Sequence, residues 1–141
     1  MNKNNFVTLP LTITKKGKEV VPFKSGLNWG QRLGREQNQA YLPIPIDIRR
    51  LKFFPEKKIP FILECDDGVQ LKCVIAQDGG KAIHSCTNNS ILGKYFRSRL
   101  GIPEGYTVTI QHLYKYGRIS VDIYKLNEFK YFMNFSNTIN L

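Results

Sequence analysis

From Ser25 to Gln39 the chain reads Ser-Gly-Leu-Asn-Trp-Gly-Gln-Arg-Leu-Gly-Arg-Glu-Gln-Asn-Gln. It concentrates side chains that can make two hydrogen bonds at once. A guanidinium can bond a guanine edge twice, and a carboxamide can bond an adenine edge twice. Gln31, Arg32, Arg35 and Asn38 are therefore candidates for base contacts. The segment is too long for a simple connection. Mere solvation would be served by Lys and Glu. Its glycines allow the backbone to approach another surface closely. Trp29 is expected to be a packing anchor rather than a base contact.

A second polar segment, Gln77 to Ser90, runs into the start of a predicted helix. Free N–H groups at a helix N-terminus hold a phosphate well. Gln77, Lys81 and Asn88 are the candidates there for base contacts. Asn89 and Ser90 serve equally well as helix caps, and His84 is expected to be buried or hydrogen-bonded. Lys24, Lys94 and Arg97 are candidates for phosphate contacts.

Hydrolytic chemistry is harder to place. A phospholipase-D-like nuclease needs His-x-Lys, but His84 is followed by Ser85-Cys86 and His112 by Leu113-Tyr114. A magnesium-dependent nuclease of the PD-(D/E)xK kind needs carboxylates beside a lysine. Asp47 with Glu56-Lys57-Lys58 matches in form, yet Pro55 and Pro60 bracket it as a turn. Asp122 with Glu128-Phe129-Lys130 is better in chemistry, but the gap is short for adjacent strands. Cys65, Cys73 and Cys86 form no C-x-x-C, and neither histidine completes a zinc pair at the usual spacing. No catalytic residue, metal or cofactor is predicted.

The elements that must position these residues are mostly short strands. Strands are predicted over Phe6–Thr14, Glu19–Phe23, Tyr41–Ile48, Phe61–Glu64, Val69–Ala76, Tyr106–His112 and Ile119–Leu126. Pro43 and Pro45 lie two apart and place their segment at a sheet edge or a barrel opening. Asp67-Gly68 reads as a two-residue hairpin turn. In that register Ile62 opposes Cys73, and Cys65 and Cys73 point to opposite faces. A helix runs from Asn89 or Ser90 to Leu100, stopped by Gly101 and Pro103. Ile48 to Phe53 is a candidate second helix. Tyr116-Gly117-Arg118 reads as a turn, and Asn134 to Leu141 is expected to fray. About seven strands and one or two helices make a mostly-β barrel or sandwich.

The length of 141 residues suits one domain, and the formal net charge is +10. So basic a chain favours an anionic partner, most commonly nucleic acid. No apolar run spans a membrane. No apolar signal region follows Met1-Asn2-Lys3-Asn4-Asn5, so a cytoplasmic location is expected. Three cysteines, an odd count, read as reduced thiols.

Two runs carry a resemblance. Ser25-Gly-Leu-Asn-Trp-Gly-Gln-Arg32, with Arg35 and Asn38-Gln-Ala-Tyr-Leu-Pro-Ile-Pro45, resembles the B3-like DNA-recognition domain of type II restriction endonucleases of the BfiI, NgoAVII and EcoRII kind. Gln77, Lys81-Ala-Ile83, Asn88-Asn-Ser90, Leu92-Gly93, Tyr95-Phe-Arg97 and Tyr116-Gly-Arg118 are similar to the same domains, so the resemblance spans roughly Ser25 to Lys125. It implies a seven-stranded pseudobarrel gripping the major groove of double-stranded DNA with two arms, one from each polar segment. It also implies a nuclease domain or subunit elsewhere. In BfiI-like enzymes a phospholipase-D-like nuclease precedes the domain, whereas this chain starts at Met1 with no room for one. An excised domain, an N-terminal effector domain and a free-standing protein are all open, and the isolated domain is expected to be monomeric. Two other functions stay open beside this one: a magnesium-dependent nuclease with a degenerate site, and an RNA- or single-strand-binding barrel using Tyr114, Tyr116 and Tyr124.

Overall fold

The computed structural model describes residues 5–137. Nine strands are present among them: β1 (Phe6–Pro10), β2 (Ile13–Lys15), β3 (Lys18–Val20), β4 (Leu42–Pro43), β5 (Phe61–Cys65), β6 (Gln70–Ala76), β7 (Ala82–Ser85), β8 (Ser120–Asn127) and β9 (Lys130–Asn134). Seven of them form one sheet in the order β1-β8-β9-β5-β6-β7-β4. Every ladder is antiparallel except β5 with β9. The sheet curls until β1 approaches β4, giving the nearly closed seven-stranded pseudobarrel that was expected. Pro43 and Pro45 do mark an edge, since β4 is the last strand of the sheet. The β2–β3 hairpin stands apart and turns on Lys16-Gly17.

Alternation fills the barrel. Phe61, Leu63 and Cys65 of β5 point inward with Leu71, Cys73 and Ile75 of β6, as do Val121 and Ile123 of β8 and Tyr131 and Met133 of β9. Tyr131 still satisfies its hydroxyl, which donates to the Phe53 carbonyl at 2.8 Å. Burial pushes the Cys65 thiol up to about 11 and raises that of Cys73 further, so both are inert, and all three cysteines are free.

Three α-helices are present among the described residues, where one or two were predicted: α1 (Ile46–Arg50), α2 (Ser90–Leu100) and α3 (Ile110–Tyr116). The strand expected to run to Ile48 ends at Pro43. The Ile44 N–H still reaches Lys81, but the partner strand β7 begins only at Ala82. Past the end of that ladder the chain coils, with the Pro45 carbonyl accepting from Ile48 and Arg49. The strand predicted over Tyr106–His112 is also wrong. Its apolar alternation stops at Thr109, whose N–H donates to His112 Nδ1 at 2.9 Å, and α3 starts there. His112 thus plays the part that Glu or Gln takes in a capping box. Tyr116-Gly117-Arg118 is the end of that helix, with Gly117 as its left-handed cap, rather than a turn between strands.

The β5–β6 register also differs by one residue. Phe61, not Ile62, opposes Cys73. The turn holds three residues because Gly68 donates to the Cys65 carbonyl in a left-handed conformation, with φ 90°. A one-residue slip reverses every facing, so Cys65 and Cys73 share the core face. β9 lies within the stretch left unassigned or expected to fray, and Phe135 beyond it is buried. The last four residues of that stretch lie outside the described ones.

Candidate nucleic-acid interface

The first polar segment, the expected first arm, begins as a 3-10 helix, Gly26–Gln31, and returns to β4 as a loop. Asn28 fixes its base. Completely buried, it donates to the carbonyls of Pro22 and Val108 and accepts from the Val108 N–H, each at 2.8 Å. The arm's return lies against α2 at Gly93. A Cβ there would fall 1.6 Å from the Asn38 carbonyl oxygen, so only glycine allows this approach.

Three predicted contact residues serve the same anchoring, which corrects the expectation for them. Arg97 is fully buried. It donates to the carbonyls of Tyr106, Gly93 and Leu27 at 2.8, 3.2 and 3.2 Å, so it cannot reach a phosphate. Desolvation lowers the pKa of its guanidinium, partly offset by Glu36. Asn38 is buried as well: it donates to Glu36 and accepts from the Gly105 N–H. Gln31 donates to the carbonyls of Gln37 and Gly105 and accepts from the Thr107 hydroxyl. These side chains hold the arm, and their polar atoms are occupied within the protein.

The other residues face outward. From the first arm, Trp29, Arg32 and Arg35 line one open cleft of about 530 Å³. From the second segment, Gln77, Lys81 and His84 line the same cleft. Tyr41, Pro43 and Ile44 complete the cleft with Arg49 of α1, which the sequence reading missed. Four of the lining residues are cationic and none is acidic. The predicted Arg32, Arg35, Gln77 and Lys81 are thus brought together. Lys24, Asn88 and Lys94 are exposed but do not line the cleft. Asn89 holds the N-cap position of α2 without a side-chain cap bond, and Asn88 just before it supports the helix start, its Oδ1 accepting from the Ser90 N–H at 2.9 Å and from its hydroxyl at 2.6 Å.

Aromatic contacts set the cleft wall. Trp29 meets Tyr41 edge-on at 5.3 Å and His84 at 5.2 Å, which makes it a packing anchor and joins the two segments. The Arg35 guanidinium lies 3.8 Å from the Trp29 ring centre, and its Nη1 donates to Gln39 at 2.8 Å. Arg32 Nε donates to the Lys24 carbonyl at 2.8 Å, and among the described residues neither of its Nη nitrogens has a hydrogen-bond partner. Gln77 Nε2 donates to His84 Nε2 at 2.9 Å. Burial, followed by the charge of Arg35, holds His84 below its ordinary pKa.

Residues 2–127 match the family model described as the NgoFVII C-terminal B3-like DNA-binding domain, a domain of restriction enzymes. The chain belongs to this family. DNA is therefore a partner of this B3-like domain, and its cationic cleft has the charge that a polyanion needs. A search of the curated proteins found no match.

Asp122 and Lys130, weighed together for magnesium, are spread apart in this B3-like domain. Asp122 is ion-paired to Arg118 at 2.8 Å and accepts from the Thr8 hydroxyl at 2.7 Å. It opposes Asn134, while Lys130 opposes Asn127, which puts the lysine roughly 13 Å further along β9 at ordinary strand rise. Among the described residues no group of three or more His, Cys, Asp or Glu is placed to hold a metal, and no helix is long and apolar enough to cross a membrane.

Proposed function

We propose that this domain recognises double-stranded DNA sequence-specifically, taking the major groove between its two arms. The observation that carries this reading is the convergence of Arg32 and Arg35 from one segment, and Gln77 and Lys81 from the other, on one acid-free cleft. Arginine forks and carboxamides suit base edges, while phosphate contacts fix the register. Lys24 and Lys94, both exposed, are the proposed phosphate contacts, and the free amide of Asn88 is a peripheral base contact. Gln31, Asn38 and Arg97 act indirectly, by holding the arm.

The domain binds without cutting, and a nuclease domain or subunit supplies hydrolysis. The restriction-enzyme family supports that division of labour. Selection from random duplex DNA with this chain is the test. Recovery of one short motif is the expected result, and recovery of none would defeat sequence-specific recognition. Incubating the chain with plasmid and magnesium should leave the DNA intact. Specific cleavage that vanishes with Asp122→Ala or Glu128→Ala would overturn the non-catalytic assignment.

A further inference from the structure

Arg32, Arg35, Arg97, Arg99 and Arg118 all donate hydrogen bonds within the protein. Among the described residues Arg49 and the exposed Arg50 have no hydrogen-bond or ion-pair partner, but of the two only Arg49 has a nitrogen, Nε, that is shut away from solvent. A desolvated donor without an acceptor is unfavourable, so no intramolecular acceptor competes with an incoming anion.

Its position is specific. Arg49 stands in the last turn of α1 and lines the cleft. Its Nη1 lies against the second arm, where a Cβ on Gly79 would be 3.4 Å away. Arg49 also walls an adjoining pocket of about 330 Å³ that is bordered by Lys52 and Lys57. Only one carboxylate, Glu56, lines that pocket. The surrounding backbone is unusual too. Lys52, Lys58 and Gln77 have φ of 53°, 69° and 70°, and they are three of the four non-glycine residues with positive φ among those described. Such conformations gather where a structure holds a ligand.

We propose that Arg49 is a third DNA-holding group, supplied by α1 rather than by either arm, and that it grips a backbone phosphate with Lys52 and Lys57 beside it. The proposal rests on the cleft being the seat of duplex DNA. It extends the phosphate track from the cleft along the loop after α1.

Fluorescence anisotropy with a labelled random-sequence duplex, over a range of salt concentrations, tests it. Arg49→Met keeps the aliphatic stem and removes the charge. It should weaken binding about tenfold and lower the log–log salt slope by about 0.9, the value for one phosphate contact on B-DNA. Arg49→Lys should restore the slope, because a phosphate accepts a point charge. Unchanged affinity and slope in Arg49→Met would overturn the proposal. Should that variant melt too early to measure, the exposed pair Lys52→Ala with Lys57→Ala takes its place, with a slope loss of about 1.8 expected. No change in the pair would likewise overturn it. Failure of the wild type to bind duplex in a salt-dependent way would remove the proposed function itself. Normal wild-type binding with silent Arg49 and lysine variants would remove only the third contact.

Discussion

Arg35 is held ready before any ligand arrives. Stacking on Trp29 and a bond to Gln39 orient its plane, and a planar fork that is already oriented loses little entropy on bonding. We expect Arg35→Ala to lose roughly 1–3 kcal/mol on the selected sequence and much less on random duplex. Arg35→Lys keeps the charge and removes the fork. If competition binding shows Arg35→Lys discriminating like the wild type, Arg35 touches only phosphate. Its neighbour His84 gives a pH test. Burial and the Arg35 charge keep its folded-state pKa below 6.5, so the folded state binds fewer protons than the unfolded one. That contribution to stability is complete above pH 6.5 and is lost as pH falls through the lowered value. The melting temperature should therefore dip under mild acid, and His84→Gln should flatten the dip. Asp66 does not confuse the result. Burial opposes its ionisation, but Arg99 and the Phe135 N–H prevail and lower its pKa, so its own loss comes only below 3.8. In Arg35→Ala the His84 pKa should rise, as read by imidazole NMR; an unmoved value would separate the two side chains electrostatically.

The first arm is an element built on its anchors. Asn28→Ala should cost about 1–3 kcal/mol in urea denaturation, because it strands buried backbone groups at Pro22 and Val108. Gly93→Ala forces Asn38 away from α2. Specific binding should drop sharply while random-duplex binding largely survives; intact specificity would show that arm placement does not matter. Much of this element was legible in sequence. Arg, Asn and Gln crowded among glycines marked both segments, and Arg32, Arg35, Gln77 and Lys81 do meet. The roles of Gln31, Asn38 and Arg97 were not legible. A carboxamide that bonds a carbonyl 74 residues away has the same local signature as one that reads a base. Alternation at Tyr106, Val108 and Ile110 imitated a strand until a histidine cap ended it, and the β5–β6 register turned on one extra loop residue. Arg49 was hidden because its significance comes from the second arm folding over it.

For the molecule as a whole, a net charge of +10 makes salt the dominant variable. Affinity for any duplex should fall steeply as salt rises, with Lys24→Ala lowering the log–log slope by about 0.9 and weakening all sequences alike. An unchanged slope would take Lys24 off the phosphate list. Those charges are carried by one barrel, and the order of its strands sets a constraint on synthesis. Among the described residues β9 is the last strand, yet it lies inside the sheet between β8 and β5. During translation β5 and β8 therefore wait with open edges until Asn134 has left the ribosome, and open edges invite pairing between chains. A chain cut after Asn127, where the family match ends, keeps every proposed DNA contact and lacks the strand that joins the two halves of the barrel.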